Sequence, residues 1–178
     1  MLTTNQKGVL AEAKIVACAV EHGLGVSRPF DDERYDLILD LRPALLRVQC
    51  KWAGRLGDVI SGRLYTSRRG PHGLVNRRYA VGEFDAFALY CPAVDRCYLL
   101  PAEEFVARRQ VNLRLAPSRN NQAVGIRWAH EYEFGATLSR LSGPIAQLGE
   151  RLAGSQKVAG SSPAGSIDES PSTGLSLF

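Results

Sequence analysis

The sequence predicts an α/β (α+β) domain, a mixed central sheet flanked by helices. Three observations predict it. A helical apolar period occupies residues 5–22, and short strand-like segments then follow one another as far as residue 116. One helix followed by many strands buries its apolar surface when helices pack on the faces of a sheet. Finally, the composition breaks at residue 136, so residues 1–135 must supply the core.

The first element is "NQKGVLAEAKIVACAVEH", where Val9, Leu10, Ala13, Val16, Ala17 and Val20 recur at three- and four-residue steps. Asn5 suits an N-cap and Gly23 a C-terminal stop. "GLGVSRPF" reads as a short strand that Pro29 ends or confines to an edge. Residues 35–41 and 45–52 read as two strands joined at "RPAL", and residues 57–67 as another. The Gly, Pro and Asn of "RRGPHGLVNRR" predict a loop. "EFDAFALYCP" and "RCYLLP" predict a strand pair turning at "AVD". "AEEFVA" reads as a short helix, "VNLRLAP" as a strand, and "NQAVGIRWAHEY" as a late helix or irregular cover.

The tail, residues 136–178, is different. Twenty of its 43 residues are Gly, Ser, Pro or Thr, and Phe178 is its one aromatic. Such a composition buries little and predicts disorder. "IAQLGERL" and "AGSSPA" resemble in-frame translations of a tRNA D-arm and T-arm, in the right order. That resemblance implies a reading frame running into a tRNA gene.

The apolar runs are too short to span a bilayer, and the N-terminus lacks a signal-peptide core, so a cytoplasmic protein without membrane partners is expected. Cys18, Cys50, Cys91 and Cys97 show no CxxC spacing, and with His22, His72 and His130 scattered they predict free thiols rather than a zinc site. The tail carries three basic and three acidic groups, so the net charge of +4 lies entirely in residues 1–135 and points to an anionic partner.

The stretch "RYDLILDLRPALLRVQCKW" concentrates the chemistry. Alternation puts Asp36, Ile38 and Asp40 on one face of the first strand, and Arg47, Gln49 and Lys51 on one face of the second. A loop of two or four residues pairs 36 with 51 and 38 with 49, clustering Asp36, Gln49 and Lys51 while the leucines face the core. The cluster reads either as a cross-strand surface salt bridge or as a site. As a site, a carboxylate and a neighbouring carbonyl suit Mg²⁺, and a lysine suits charge developing on a phosphate. Glu12, an acid within the small apolar stretch "VLAEAK", reads as either a solvent-facing helix residue or a further ligand.

"KGVLAEAK", "RYDLILD" and "RVQCK" together resemble the PD-(D/E)XK nuclease superfamily. They resemble more closely the branch of group I intron-encoded homing endonucleases whose catalytic strand reads Gln-x-Lys. The similarity continues through "RRYAVGEFDAFALYCPAVDRCYLLPAEEF" and "NLRLAP", covering roughly residues 5–133. It implies a restriction-endonuclease-like core and Mg²⁺-dependent hydrolysis of double-stranded DNA. Glu12, Asp36, Gln49 and Lys51 would form the catalytic set, with Asp36, Glu12 and the Cys50 carbonyl holding metal. The chain departs from the superfamily name twice: Tyr35 precedes Asp36 where Pro is usual, and Gln49 replaces an acid.

Residues 63–78 hold five arginines, one histidine and no acid. Alone this is a solvated basic loop. Beside a nuclease site it becomes a DNA contact through Arg68, Arg69, Arg77 and Arg78. Lys7 and Arg34 are further phosphate candidates. Asp40, Asp58, Glu83 and Asp85 are expected to be structural, and Trp52, Tyr79 and Trp128 to belong to the core. Three activities remain open: a homing-type endonuclease, a Holliday-junction resolvase or repair nuclease, and a catalytically silent DNA-binding protein. Cutting both strands at a symmetric site favours a homodimer or a higher even oligomer.

Overall fold

The computed structural model describes residues 1–42, 44–71, 73–117 and 124–141. Helix α1 (Thr4–Glu21) begins one residue earlier than the sequence suggests, because Thr3 rather than Asn5 is the N-cap. The Thr3 hydroxyl accepts from the Gln6 N–H, and the Gln6 side chain accepts from the Thr3 N–H, a reciprocal capping box. Gly23 ends the helix at φ +76°, a left-handed position that glycine adopts without a Cβ penalty.

The buried face of α1 is Ala11, Ile15 and Ala19, while Val9 and Val20 are exposed. The reason lies beneath it. Strand β7 (Ala86–Cys91) offers Ala86 and Ala88 to the same apolar cluster as this helix face. Small residues on both surfaces let helix and sheet approach closely, so alanines rather than valines turn inward.

Among the described residues the main sheet has seven strands. On one side, β1 (Gly25–Ser27), β2 (Leu37–Asp40) and the first half of β3 (Leu45–Leu56) run antiparallel. Residues 48–52 of β3 pair in parallel with β7, and β7 pairs antiparallel with β8 (Arg96–Pro101). The second half of β3 pairs with β4 (Val59–Arg63), which pairs with β9 (Gln110–Arg114). Every residue of β7 is buried, as expected for a central strand covered on both faces. Its alternate residues Phe87, Leu89 and Cys91 enter a second cluster with Tyr79, Phe84, Tyr98 and Phe105.

The stretch predicted to be a loop is instead a two-stranded ribbon, β5 (Tyr65–Gly70) and β6 (Gly73–Arg78), paired along its whole length. Every residue of β6 is exposed. The short helix α2 (Ala102–Phe105) follows β8, and a 3₁₀ turn (Ala129–Tyr132) serves as the late irregular cover.

The folded part runs past the predicted boundary at 135. Residues 134–141 are helical, Thr137 is fully buried, and Leu141 packs against the core. Residues 142–178, the rest of the tRNA-like tail, lie outside the described residues. All four cysteines are free, Cys50 and Cys91 buried and Cys18 and Cys97 half-buried. No helix among the described residues is long and apolar enough to cross a membrane.

Candidate active site

The β2–β3 hairpin turns at Arg42, whose φ is +41°, and Leu41 N–H bonds to Ala44 O at 2.8 Å. The turn is centred one residue earlier than expected, which shifts the register by two: Leu37 pairs with Val48 and Ile38 with Arg47. Asp36, just before β2, therefore stands opposite Gln49 rather than Lys51, and its N–H bonds to Val48 O at 2.9 Å. Because the shift is even, the facing survives. Leu37, Leu39 and Val48 are fully buried beside α1, and Asp36, Gln49 and Lys51 share the other face.

Asp36 is held by its neighbours. One carboxylate oxygen accepts from the Cys50 N–H at 2.7 Å and from the Gln49 side-chain amide. Gln49, only 7% exposed, thus acts as a donor, and the same nitrogen lies 3.5 Å from the Cys50 carbonyl oxygen. An acid at position 49 would instead set two carboxylates against each other in a buried place. Burial pushes the Asp36 carboxyl above its usual range, against the opposing effects of the Cys50 N–H, Lys51 and Arg28.

Glu12 reaches the same place from α1, where Arg28 pairs with its carboxylate. Burial raises the Glu12 carboxyl, and the charge of Asp36 raises it further, while Arg28 works in the opposite direction.

Lys51 is not ion-paired with Asp36. Its Nζ lies 5.0 Å from the centroid of the Tyr79 ring, so the cross-strand salt bridge does not form. Burial lowers the Lys51 ammonium from its ordinary value, partly offset by Asp36.

Two openings meet at Glu12. One is a shallow acidic hollow bounded by Asp31, Asp32, Glu33 and Asp36, with Arg28 at its side. The other is a cleft of about 740 Å³ walled by Lys7, Lys51, Arg55, Arg63 and Gln110. Lys7 sits 5.8 Å over the ring of Trp52, which is half-buried, lining the cleft while packing against the core cluster and edge-on to Tyr90. Sequence reasoning missed Arg28, Arg55 and Gln110. Arg28 and Arg55 follow Ser27 and Gly54 at strand ends, where no apolar period flags them, and only the fold brings Gln110 of β9 beside Ser61 of β4, at 2.9 Å.

The donors suit a hard divalent cation. Two carboxylates, Glu12 and Asp36, are close enough to raise one of them, and the Cys50 carbonyl adds a third oxygen. Among the described residues no three His, Cys, Asp or Glu side chains converge on one point. A cation here would take two carboxylates and a carbonyl and keep several waters, as Mg²⁺ prefers.

The basic candidates separate. Arg77 is paired with Glu83 at 3.2 Å, while Arg69 and Arg78 are exposed, and Arg68 pairs with Val75 in the ribbon. Glu83 also accepts from Ala80 N–H and holds Arg34. Asp85 clamps Arg47 through side chain and backbone. Both acids are structural, as the sequence suggested.

A mixed sheet that gathers two acids and a lysine beside a basic cleft defines a class of protein, the nucleases that cut phosphodiesters. The chain belongs to the PD-(D/E)XK endonuclease family, which residues 2–135 match. It is similar to the solved structure of a bacterial homing endonuclease, I-Ssp6803I. The identity is 21% and the TM-score 0.61, covering 89% of this chain and 100% of that one. At that identity the likeness carries the fold. No curated protein matches the chain.

Proposed function

We propose that the chain is a Mg²⁺-dependent endonuclease that cuts double-stranded DNA, of the homing type and the Gln-x-Lys branch. The observation that carries this reading is that Glu12, Cys50 and Lys51 line a cleft walled by Lys7, Arg55 and Arg63, while Asp36, bonded to the Cys50 N–H, faces the adjoining hollow that shares Glu12. Its likeness to I-Ssp6803I supports the homing type.

Bound by Glu12, Asp36 and the Cys50 carbonyl, the cation would polarise the scissile phosphodiester and lower the pKa of its water. The chain's own residues do the rest. Gln49 and the Cys50 N–H fix the Asp36 carboxylate. Lys51 orients the attacking water and offsets charge gathering on the phosphate. Lys7, Arg55 and Arg63 hold flanking phosphates. The β5–β6 ribbon has the dimensions of an element that enters a major groove, with Arg69 and Arg78 exposed to meet base edges and phosphates. Two copies are needed to cut both strands at a symmetric site.

The test is cleavage of a plasmid carrying an intact tRNA-gene region of the kind the tail resembles, with Mg²⁺, with EDTA, and with Lys51→Ala. Cutting at one locus in Mg²⁺ is expected, with loss in EDTA and a fall of about 10²–10³-fold in Lys51→Ala. Cutting without a preferred locus would remove the homing type. Preference for a four-way junction would favour a resolvase. Salt-sensitive binding without any cutting would leave a silent DNA-binding protein.

A further inference from the structure

Lysine is a poor choice for a fixed catalytic charge unless something holds it, because its stem has four rotatable carbons. Among the described residues no acid forms an ion pair with Lys51. Its Nζ instead rests 5.0 Å from the centroid of Tyr79, within cation–π range. Tyr79 is itself immobilised. It is 5% exposed and meets Phe84 edge-on at 4.9 Å and Phe87 at 5.5 Å, and those two meet each other at 4.7 Å. Arg34 places its guanidinium 4.6 Å from the same ring. Arg34 is in turn gripped by Glu83, with Nε at 3.1 Å and Nη2 at 3.2 Å from the two carboxylate oxygens.

The chain also arrives at Tyr79 from a telling direction. Strand β6 ends at Arg78, so Tyr79 is the first residue after the ribbon. Glu83, which grips Arg34, also holds Arg77 of that ribbon at 3.2 Å. The platform under the lysine and the base of the ribbon are therefore one connected piece.

We propose that Tyr79 is a positioning residue for Lys51. Its ring holds the ammonium at the site, with Phe84 and Phe87 fixing the ring and the Arg34–Glu83 pair bracing it. The catalytic meaning rests on the nuclease reading of the site. The packing claim stands apart from it and can be measured separately.

The experiment uses the full chain with Tyr79→Phe, Tyr79→Leu and Glu83→Gln. Lys51 is probed by limited acetylation with acetic anhydride followed by peptide mass spectrometry, with Lys7 and Lys14, both half-buried and distant from Tyr79 in sequence, as internal references. Tyr79→Phe keeps the ring face, so Lys51 labelling stays at the parent rate. Tyr79→Leu removes the π face at similar volume, so labelling relative to the references rises several-fold. Glu83→Gln releases Arg34 and gives a smaller rise in the same direction without touching the aromatic cluster, which covers the case in which Tyr79→Leu does not fold. In cleavage assays, Tyr79→Leu lowers kcat by up to about 10²-fold with KM for DNA unchanged, and Tyr79→Phe restores it.

Equal Lys51 labelling in parent and Tyr79→Leu overturns the proposal, as does unchanged labelling in Glu83→Gln if Tyr79→Leu does not fold. So does a rise in KM with kcat unchanged. A parent chain that cuts no DNA, yet shows the labelling pattern, would overturn the nuclease reading and leave the positioning of Lys51 intact.

Discussion

Two hairpins of this chain are built from the same elements and live in opposite surroundings. The β2–β3 hairpin is anchored in the sheet: Leu37, Leu39 and Val48 are fully buried, and β3 has partners on both sides. Among the described residues the β5–β6 ribbon pairs only with itself, and all of β6 is exposed. The difference separates two tasks. Groups that act on a reacting phosphate must be held to a fraction of an ångström, which needs a packed scaffold. Groups that follow a nucleic-acid groove must project beyond the body of the protein, which a two-stranded ribbon does at the cost of having no core of its own.

The largest effect expected from this contrast is on stability. Leu39→Ala empties a fully buried position between the hairpin and α1 and is expected to cost about 2–5 kcal/mol. Leu74→Ala on the ribbon, where the side chain is 70% exposed, is expected to stay within about 0.5 kcal/mol. Urea unfolding of both variants measures the pair. Similar losses would mean that the ribbon is buried in the protein's working state and that the contrast is wrong.

The next effect is on binding. Arg69→Ala with Arg78→Ala is expected to weaken DNA binding and to reduce the slope of log K against log salt by about 1 for each phosphate that is no longer neutralised. The unfolding midpoint should not move. Arg77→Ala is expected to do less to the salt slope, because its guanidinium is already engaged by Glu83. An unchanged slope in the double variant would remove the ribbon from the DNA interface.

The same contrast explains what the sequence made legible. The anchored hairpin could be read because burial on one face writes an alternation, "LILD" and "RVQCK", into the chain. Its register came out two residues away, because the turn closes on Leu41 and Ala44 and the position of the turn is not encoded in the alternation. The ribbon could not be read as strands, since with both faces in solvent nothing selects alternating apolar residues, and Gly, Pro and Asn dominate the local signal. Helix α1 was found but turned the wrong way. Hydrophobicity favoured the valines, whereas close packing over Ala86 and Ala88 favours Ala11 and Ala19. Glu12, Asp36, Gln49 and Lys51 were candidates from the sequence; Gln49 bonds Asp36, Glu12 and Asp36 share one hollow, and Glu12 and Lys51 line one cleft. Their partners, Arg28 and Tyr79, come from distant segments that only the tertiary fold brings together.

The smallest expected effect tests the rigid side of the comparison through pH. Asp85 immediately precedes β7 and takes the Arg47 side chain at 2.8 Å and the Arg47 N–H at 2.8 Å, tying the entry of β7 to β3 beside the site hairpin. Burial acts to raise its carboxyl, but the Arg47 side-chain and backbone donors prevail and hold it below the ordinary value of 3.8. A folded pKa below the unfolded one means that the folded state favours the ionised form. The clamp therefore contributes its full stability above about pH 4–5, and the contribution disappears as pH falls below 3.8 through the depressed value. Both side chains are more than a third exposed, so solvent screens the pair and its worth at neutral pH is under about 1 kcal/mol. Asp85→Asn is accordingly expected to lower stability slightly at pH 7 and to converge with the parent chain below pH 3.8, measured as unfolding midpoints across an acid series. A gap that instead widens as pH falls would show that Asp85 is not ionised in the folded state. The clamp would then hold the hairpin by a neutral hydrogen bond, and the rigid half of the molecule would owe its order to packing and neutral hydrogen bonds rather than to charge.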